Sequence, residues 1–326
     1  MNVHGLRDIN SRPHNDSRNN LAPIRRPQQD MNIFQEMDPL TVDNLRAAET
    51  HKVLFISGNR RMKNPKDENY FDMLKDLCCP TFKCLSFTTL VLIATFVMYI
   101  VELSMGLNKA GSFLEVKTDT LLLLGANYAP YIKQGQVYRL VAPIFLHVNF
   151  LHFFGNMLAI FMFVTRIEHS FGLVRTFLIY MLSGIGGNIF SALIDSTDVK
   201  AGASTSLYGV IGVIIGYMII NWSGLDAVGP ILKYQLCCTS IMIIAFIFFF
   251  SVLGTANVDA FGHLGGFLTG LFLSSINETI KNERYEKVMR IIFISLFVIE
   301  FVVCFVVFFT KSSWKNDAIS RKVSMQ

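Results

Sequence analysis

The sequence predicts an all-α polytopic membrane protein. Three observations lead there. Only 16% of the 326 residues are charged while 52% are hydrophobic, against about 25% charged in an average soluble domain. Apolar runs recur along the chain at close to the ~20 residues that carry a helix across a bilayer. Basic residues gather in some of the connections between those runs and are absent from others, the asymmetry that sets membrane orientation.

Residues 1–45 are rich in Asn, Asp, Arg and Pro and poor in aromatics, a composition that cannot bury enough apolar surface to order itself. They contain no apolar signal-peptide core, and Asp8, Asp16 and Asp30 argue against an organellar presequence, which would be acid-poor. Residues 46–85 are mixed and predict short amphipathic helices at the membrane surface. Cys78, Cys79 and Cys84 just precede the first span, where S-palmitoylation occurs; unmodified thiols are an equal alternative.

Seven spans follow, at roughly 86–104, 149–166, 173–194, 203–221, 231–252, 257–276 and 291–310. The sixth is the least hydrophobic. The connection 105–147 is the longest between spans, yet Leu121–Leu124, Val137 and Leu140–Leu146 make it too apolar for a solvated loop. A loop partly embedded at the outer face fits, because irregular backbone is tolerated at that depth where it packs on protein. The seventh span carries Glu300 among apolar residues, which calls for a bond to the core or a polar neighbour. Residues 311–326 form a short basic outer tail.

Lys281, Arg284, Lys287 and Arg290 lie between spans six and seven, and Arg166 and Arg175 at the second turn. These place the N-terminus in the cytosol and the C-terminus outside. Lys133 and Arg139, in an outer loop, run against the rule. The sequons at Asn15, Asn221 and Asn277 then all face the cytosol and stay silent. None of the six cysteines, which include Cys237, Cys238 and Cys304, falls in an outer loop, so no disulfide framework is expected. The net charge of +5 is scattered and lacks the clustered stripe of a nucleic-acid-binding face.

Two polar side chains stand out in the apolar runs. His263 shares a helical face with Gly266, Gly270 and Asp259 by 3.6-residue spacing. Gly262, Gly266 and Gly270 form a small-xxx-small series that admits a neighbouring backbone. Ser204 follows Gly202-Ala203 at the head of span four, with Gly209, Gly212 and Gly216 beyond it and Tyr208 one turn below. Each alone has a bland explanation: a serine bonded to its own helix, a histidine satisfied by a carbonyl. Both spans run outside to inside, however, so both groups lie toward the outer leaflet and can meet as nucleophile and base. A third group, His147, His152 and Asn156, places His152 and Asn156 one turn apart. Too few ligands accompany the two histidines for zinc; an imidazole and an amide can instead donate to the oxyanion of a tetrahedral intermediate.

This pattern resembles the rhomboid family of intramembrane serine proteases, from about Leu121 through Phe272. Gly125-Ala126-Asn127 and Tyr138-Arg139 are similar to the first-loop signatures, with Tyr where Trp is commoner. His147, His152 and Asn156 match the second-helix motif, and Glu168, Gly172 and Arg175 its cytosolic exit. Gly202-Ala203-Ser204 matches the serine motif and His263-Leu264-Gly265-Gly266 the histidine motif. One departure is Thr205, where the family usually has glycine; it puts the packing of the oxyanion region in question.

The resemblance implies a six-helix bundle plus one C-terminal helix: a cytosolic region 1–85, a catalytic core 86–276, and 277–326 as cytosolic loop, seventh helix and outer tail. It implies Ser204 as nucleophile and His263 as general base and acid, without a carboxylate; Asp259 would lie at the wet rim. His152, Asn156 and the Ser204 backbone N–H would hold the oxyanion. Tyr208 would orient the His263 ring, with Gly202, Gly266, Gly270, His147, Arg139 and Glu168 supporting. The expected activity is cleavage of single-span membrane proteins in or near their transmembrane segment, releasing ectodomains, with no cofactor and no nucleic acid. A non-catalytic relative that binds membrane-protein clients is the alternative. The C-terminal position of the extra helix is similar to the eukaryotic secretory-pathway subclass, implying Golgi, endosomal or plasma membrane rather than mitochondria.

Overall fold

A computed structural model describes residues 85–222, 258–277 and 284–311, with parts of 224–249. All of these belong to one unit, Asn44–Gln326. The expectations for residues 1–84, including Cys78, Cys79 and Cys84, lie outside the described residues, as does half of the fifth predicted span.

Among the described residues, four helices are long and apolar enough to cross a bilayer: α1 (Phe87–Met105), α4 (Phe150–Phe171), α5 (Leu173–Ile194) and α8 (Arg284–Thr310). Two shorter apolar helices, α6 (Ser204–Ile220) and α7 (Ala260–Leu273), complete the described bundle, α7 running on through a 3₁₀ turn at Ser274–Ile276. The 105–147 connection is compact, with α2 (Thr118–Leu124), α3 (Ala129–Lys133) and two 3₁₀ turns at Val137–Leu140 and Ala142–Phe145. Its Leu121, Leu140, Ile144 and Leu146 are buried, so it packs on protein as its composition predicts. Among the described residues there is no strand, only isolated bridges at Leu107–Val116 and Asn127–Lys200.

The two basic residues that break the charge rule both serve helix C-termini, where cations and N–H donors meet unsatisfied carbonyls. Arg139 donates to Leu122 O and Ala126 O at 2.8 and 3.1 Å, closing the end of α2. Lys133 donates to Phe308 O at 3.0 Å and to Lys311 O, closing the end of α8.

The start of α1 is held by a residue far along the chain. Ser86 caps Thr89 N, and the Glu168 carboxylate accepts from Phe87 N, Thr88 N and Thr88 Oγ1 at 2.8, 2.9 and 2.6 Å. A carboxylate at a helix N-terminus satisfies orphan donors and complements the dipole. Glu168 reaches this place because α4 contains a π-helical stretch, Ile160–Val164. In a regular helix Asn156 and Glu168, twelve residues apart, would point about 120° apart. The extra residue of a π-bulge takes back about 100°, so one face of α4 carries Asn156 inward and Glu168 onto α1.

The helix trio α5, α6 and α7 is the densest part of the bundle, and glycines set its spacing. A Cβ at Gly270 would strike Gly209 O, one at Gly266 would strike Thr205 O, and one at Gly212 would strike Phe267 O. Backbone thus lies on backbone along the whole α6–α7 seam, as the small-xxx-small series predicts. The extra helix α8 is tied to this trio at several heights. Tyr285 Oη donates to Ile219 O (3.1 Å), Arg290 Nε to Ser275 O (2.9 Å), and Thr269 Oγ1 lies 3.0 Å from Glu300 Oε1. Glu300 therefore finds its polar neighbour on α7.

Candidate active site

Ser204 is the first residue of α6 and is buried, 6% exposed; His263 lies one turn into α7 and is 7% exposed. Their side chains meet across the glycine seam, with Ser204 Oγ 2.8 Å from His263 Nε2. The Tyr208 ring stacks on the His263 imidazole, centroids 4.2 Å apart and planes within 14°, which fixes the ring plane and leaves Nε2 pointing at the hydroxyl. When the ring proton sits on Nδ1, Nε2 accepts from the serine. A weakly nucleophilic hydroxyl needs such a base within reach.

Asp259 does not join them as a third member. It caps α7, its Oδ1 accepting from Gly262 N at 2.9 Å and from Ser191 Oγ at 2.6 Å. The side chain is only 13% exposed and bonded to protein, so it is less open to water than the expected wet rim.

The ground in front of Ser204 is made by Gly202. Its φ of +150° belongs to a region L side chains rarely adopt, and a Cβ there would lie 2.6 Å from His152 Cε1, 2.9 Å from His152 Nε2 and 3.5 Å from Ser204 Oγ. The His152 ring and the Ser204 hydroxyl therefore face one small space that only glycine leaves open. The Ser204 N–H belongs to the first turn of α6, whose amides have no intrahelical partner, and the helix dipole favours negative charge there. Asn156 stands one turn behind His152, buried; one of its two amide hydrogens goes to His152 O at 2.8 Å. His147 packs behind both, its ring edge-on to His152 and to Phe153.

Thr205 does not crowd this space. Its side chain turns away into a notch where Cβ atoms at Gly187 and Gly262 would each lie 3.0 Å from it. The β-branched residue is thus accommodated between α5 and α7 rather than beside the oxyanion donors.

Two further residues were not singled out in the sequence. Glu102 of α1 is fully buried, and its Oε1 accepts from His147 N at 2.9 Å, pinning the loop that leads to His152. An ionisable residue inside an apolar span was the available signal. Lys200 pairs with Asn127 through two backbone hydrogen bonds of 2.8 and 3.0 Å, and its ammonium lies 3.5 Å from Asp259 Oδ1 at the start of α7; nothing local in the sequence marks it.

The Rhomboid domain family profile matches residues 134–279. The chain is similar to "Rhomboid-like protease 3" of Toxoplasma gondii, 34% identical over 184 residues, 56% of this chain and 66% of the relative. It is similar also to "Rhomboid-like protease 1" of the same organism, 32% identical over 210 residues, 64% of this chain and 69% of the relative. This chain belongs to the rhomboid family. A further rhomboid relative, "RHOMBOID-like protein 6, mitochondrial" of Arabidopsis thaliana, is 34% identical over 169 residues, 50% of this chain and 52% of the relative. The matches span between about half and about two thirds of these rhomboids' own length. The protein is therefore a multi-pass membrane rhomboid, with Ser204 and His263 buried and the half-buried His152 ring beside them across Gly202.

Proposed function

We propose that this rhomboid is an intramembrane serine endopeptidase that cleaves single-span membrane proteins in or near their transmembrane segment. The observation that carries the reading is the 2.8 Å approach of Ser204 Oγ to His263 Nε2 under the stacked Tyr208 ring. Ser204 Oγ attacks the scissile carbonyl as His263 Nε2 takes its proton, giving a tetrahedral oxyanion. His152, the free amide hydrogen of Asn156 and the Ser204 N–H donate to that oxygen, in a site where low dielectric strengthens each bond. The imidazolium then protonates the leaving amine, and water completes hydrolysis of the acyl-enzyme by the same base. No cofactor enters this scheme.

The N-terminal region is cytosolic in this reading, the site opens toward the outer face, and the product is a released ectodomain. The C-terminal position of α8 supports a place in the secretory pathway; co-localisation of a tagged protein with Golgi, endosomal and mitochondrial markers tests that.

The deciding experiment is reconstitution of the purified protein in vesicles with a fluorogenic transmembrane substrate. Ser204→Ala and His263→Ala each lower turnover at least about a thousandfold, and a fluorophosphonate probe labels the wild type but not Ser204→Ala. Equal turnover by all three proteins would leave a binder of membrane-protein clients instead.

A further inference from the structure

The segment 195–203 delivers Ser204 to the site, and it is anchored on one side by the loop before α4. Asn127 and Lys200 exchange two backbone hydrogen bonds, and Gly202 N donates to Pro143 O at 2.9 Å. Those bonds fix the serine relative to the elements that carry His152. They do not reach α7, which carries His263.

The tie to α7 is made by the Lys200 side chain. Its ammonium donates to Ser191 Oγ at 2.8 Å and pairs with Asp195 Oδ2 at 2.8 Å, and lies 3.5 Å from Asp259 Oδ1. Ser191, fully buried on α5, passes the contact on: it accepts from Lys200 and donates to Asp259 Oδ1 at 2.6 Å. The same Asp259 oxygen accepts from Gly262 N, and Asp259 O accepts from His263 N, both at 2.9 Å. An unbroken polar chain thus leads from four residues before Ser204 to the first turn of the helix that holds His263. The side chains of Lys200 and Asp259 are only 12% and 13% exposed, so the charges are screened far less than a surface pair.

We propose that Lys200, acting through Ser191 and Asp259, is a positioning residue that sets the register of the serine-bearing segment against the histidine-bearing helix. The inference rests on the protease reading. The glycine seam holds α6 to α7 along its length, and the Lys200–Ser191–Asp259 chain holds their outer ends, where the reacting atoms lie. Loss of the chain leaves the fold and the substrate-binding surfaces in place and lets the Oγ–Nε2 distance drift. A displacement near 1 Å is enough to cost about two orders of magnitude in rate.

The test uses full-length protein in vesicles and reads two quantities: the rate of Ser204 labelling by a fluorophosphonate, and kcat and KM on a transmembrane substrate. Lys200→Met and Ser191→Ala each lower the labelling rate and kcat about tenfold, by the same drift, with KM and melting temperature close to wild type. Lys200→Arg, which keeps the charge and the donors, restores most of the rate. Ser191→Ala removes a single hydroxyl, so it decides the matter even if Lys200→Met folds poorly. Wild-type labelling and kcat in Ser191→Ala and Lys200→Met, or a fall in melting temperature without a fall in kcat, overturns the positioning role alone. Wild-type protein that neither labels nor cleaves overturns the protease reading and this inference with it.

Discussion

At the scale of single residues, Gly202 carries the sharpest constraint. Gly202→Ala places a methyl against His152 and forces a φ that alanine resists, so turnover falls by about two orders of magnitude or more; unchanged kcat would mean the His152 ring does not border the reacting carbon. Thr205→Gly empties the notch between Gly187 and Gly262 and loosens the helix, a loss of roughly 1–2 kcal/mol in unfolding free energy, while leaving the oxyanion donors untouched. Asp195 offers a pH signature at the rim. Lys200 hydrogen-bonds and pairs with its carboxylate, and Thr197 donates to it, holding its pKa below the ordinary carboxylate value against the opposing effect of burial. A group depressed in the folded state stabilises fully above its unfolded pKa of about 3.9, and that stability is lost as pH falls through the folded value. The melting-temperature difference between wild type and Asp195→Asn is therefore present at neutral pH and closes below about pH 4. A difference that grew on acidification would refute the pairing.

At the scale of elements, the π-helical stretch of α4 and the carboxylate it aims are tested together. Glu168→Ala removes three acceptor contacts from the start of α1 and costs roughly 1–2 kcal/mol, read as a lowered denaturation midpoint. Deletion of Phe161 leaves Asn156 and Glu168 eleven residues apart, with the angle between them unchanged at about 20°. Insertion of one alanine after Phe161 instead adds a residue that the π-helical stretch does not already absorb, and turns the two halves of α4 about 100° relative to each other. On insertion, either Glu168 leaves α1 or Asn156 leaves the site, so stability or kcat must drop; wild-type values for both would show that the stretch has no role in phasing. The existence of α1, α4, α5 and α8 was legible in the sequence because unbroken apolar length is a strong signal. The phase within α4 was not, since a helix apolar nearly all round has no hydrophobic face from which to read an inserted residue. Ser204 and His263 were legible as polar groups among glycines in apolar runs. Lys200 was not, because Ser191 and Asp259, the partners that tie it to α7, lie nine and fifty-nine residues away and those contacts exist only after α5 and α7 have packed.

At the scale of the whole molecule, helix length places the site. The 17 residues of α6 extend about 25 Å, short of a hydrocarbon core about 30 Å thick. A span of 203–221 was expected, and the helix observed runs from Ser204 to Ile220. The connections above it are the compact 105–147 loop and the clasped 195–203 segment, which together let irregular backbone sit at depth. Orientation is tested by acceptor sequons placed in single-site variants. One in the 108–112 turn is glycosylated in microsomes, and one in the 278–283 connection is not; the reverse would invert the molecule.

The α6–α7 seam has one more consequence, and it concerns entropy. Gly209, Gly212, Gly266 and Gly270 have no side-chain torsions, so bringing these two helices together freezes no rotamers along their closest line. The same absence removes any means of yielding, since a contact between main chains cannot turn aside as a leucine can. The junction that brings a hydroxyl to an imidazole is thus inexpensive to assemble and unforgiving of a single added carbon.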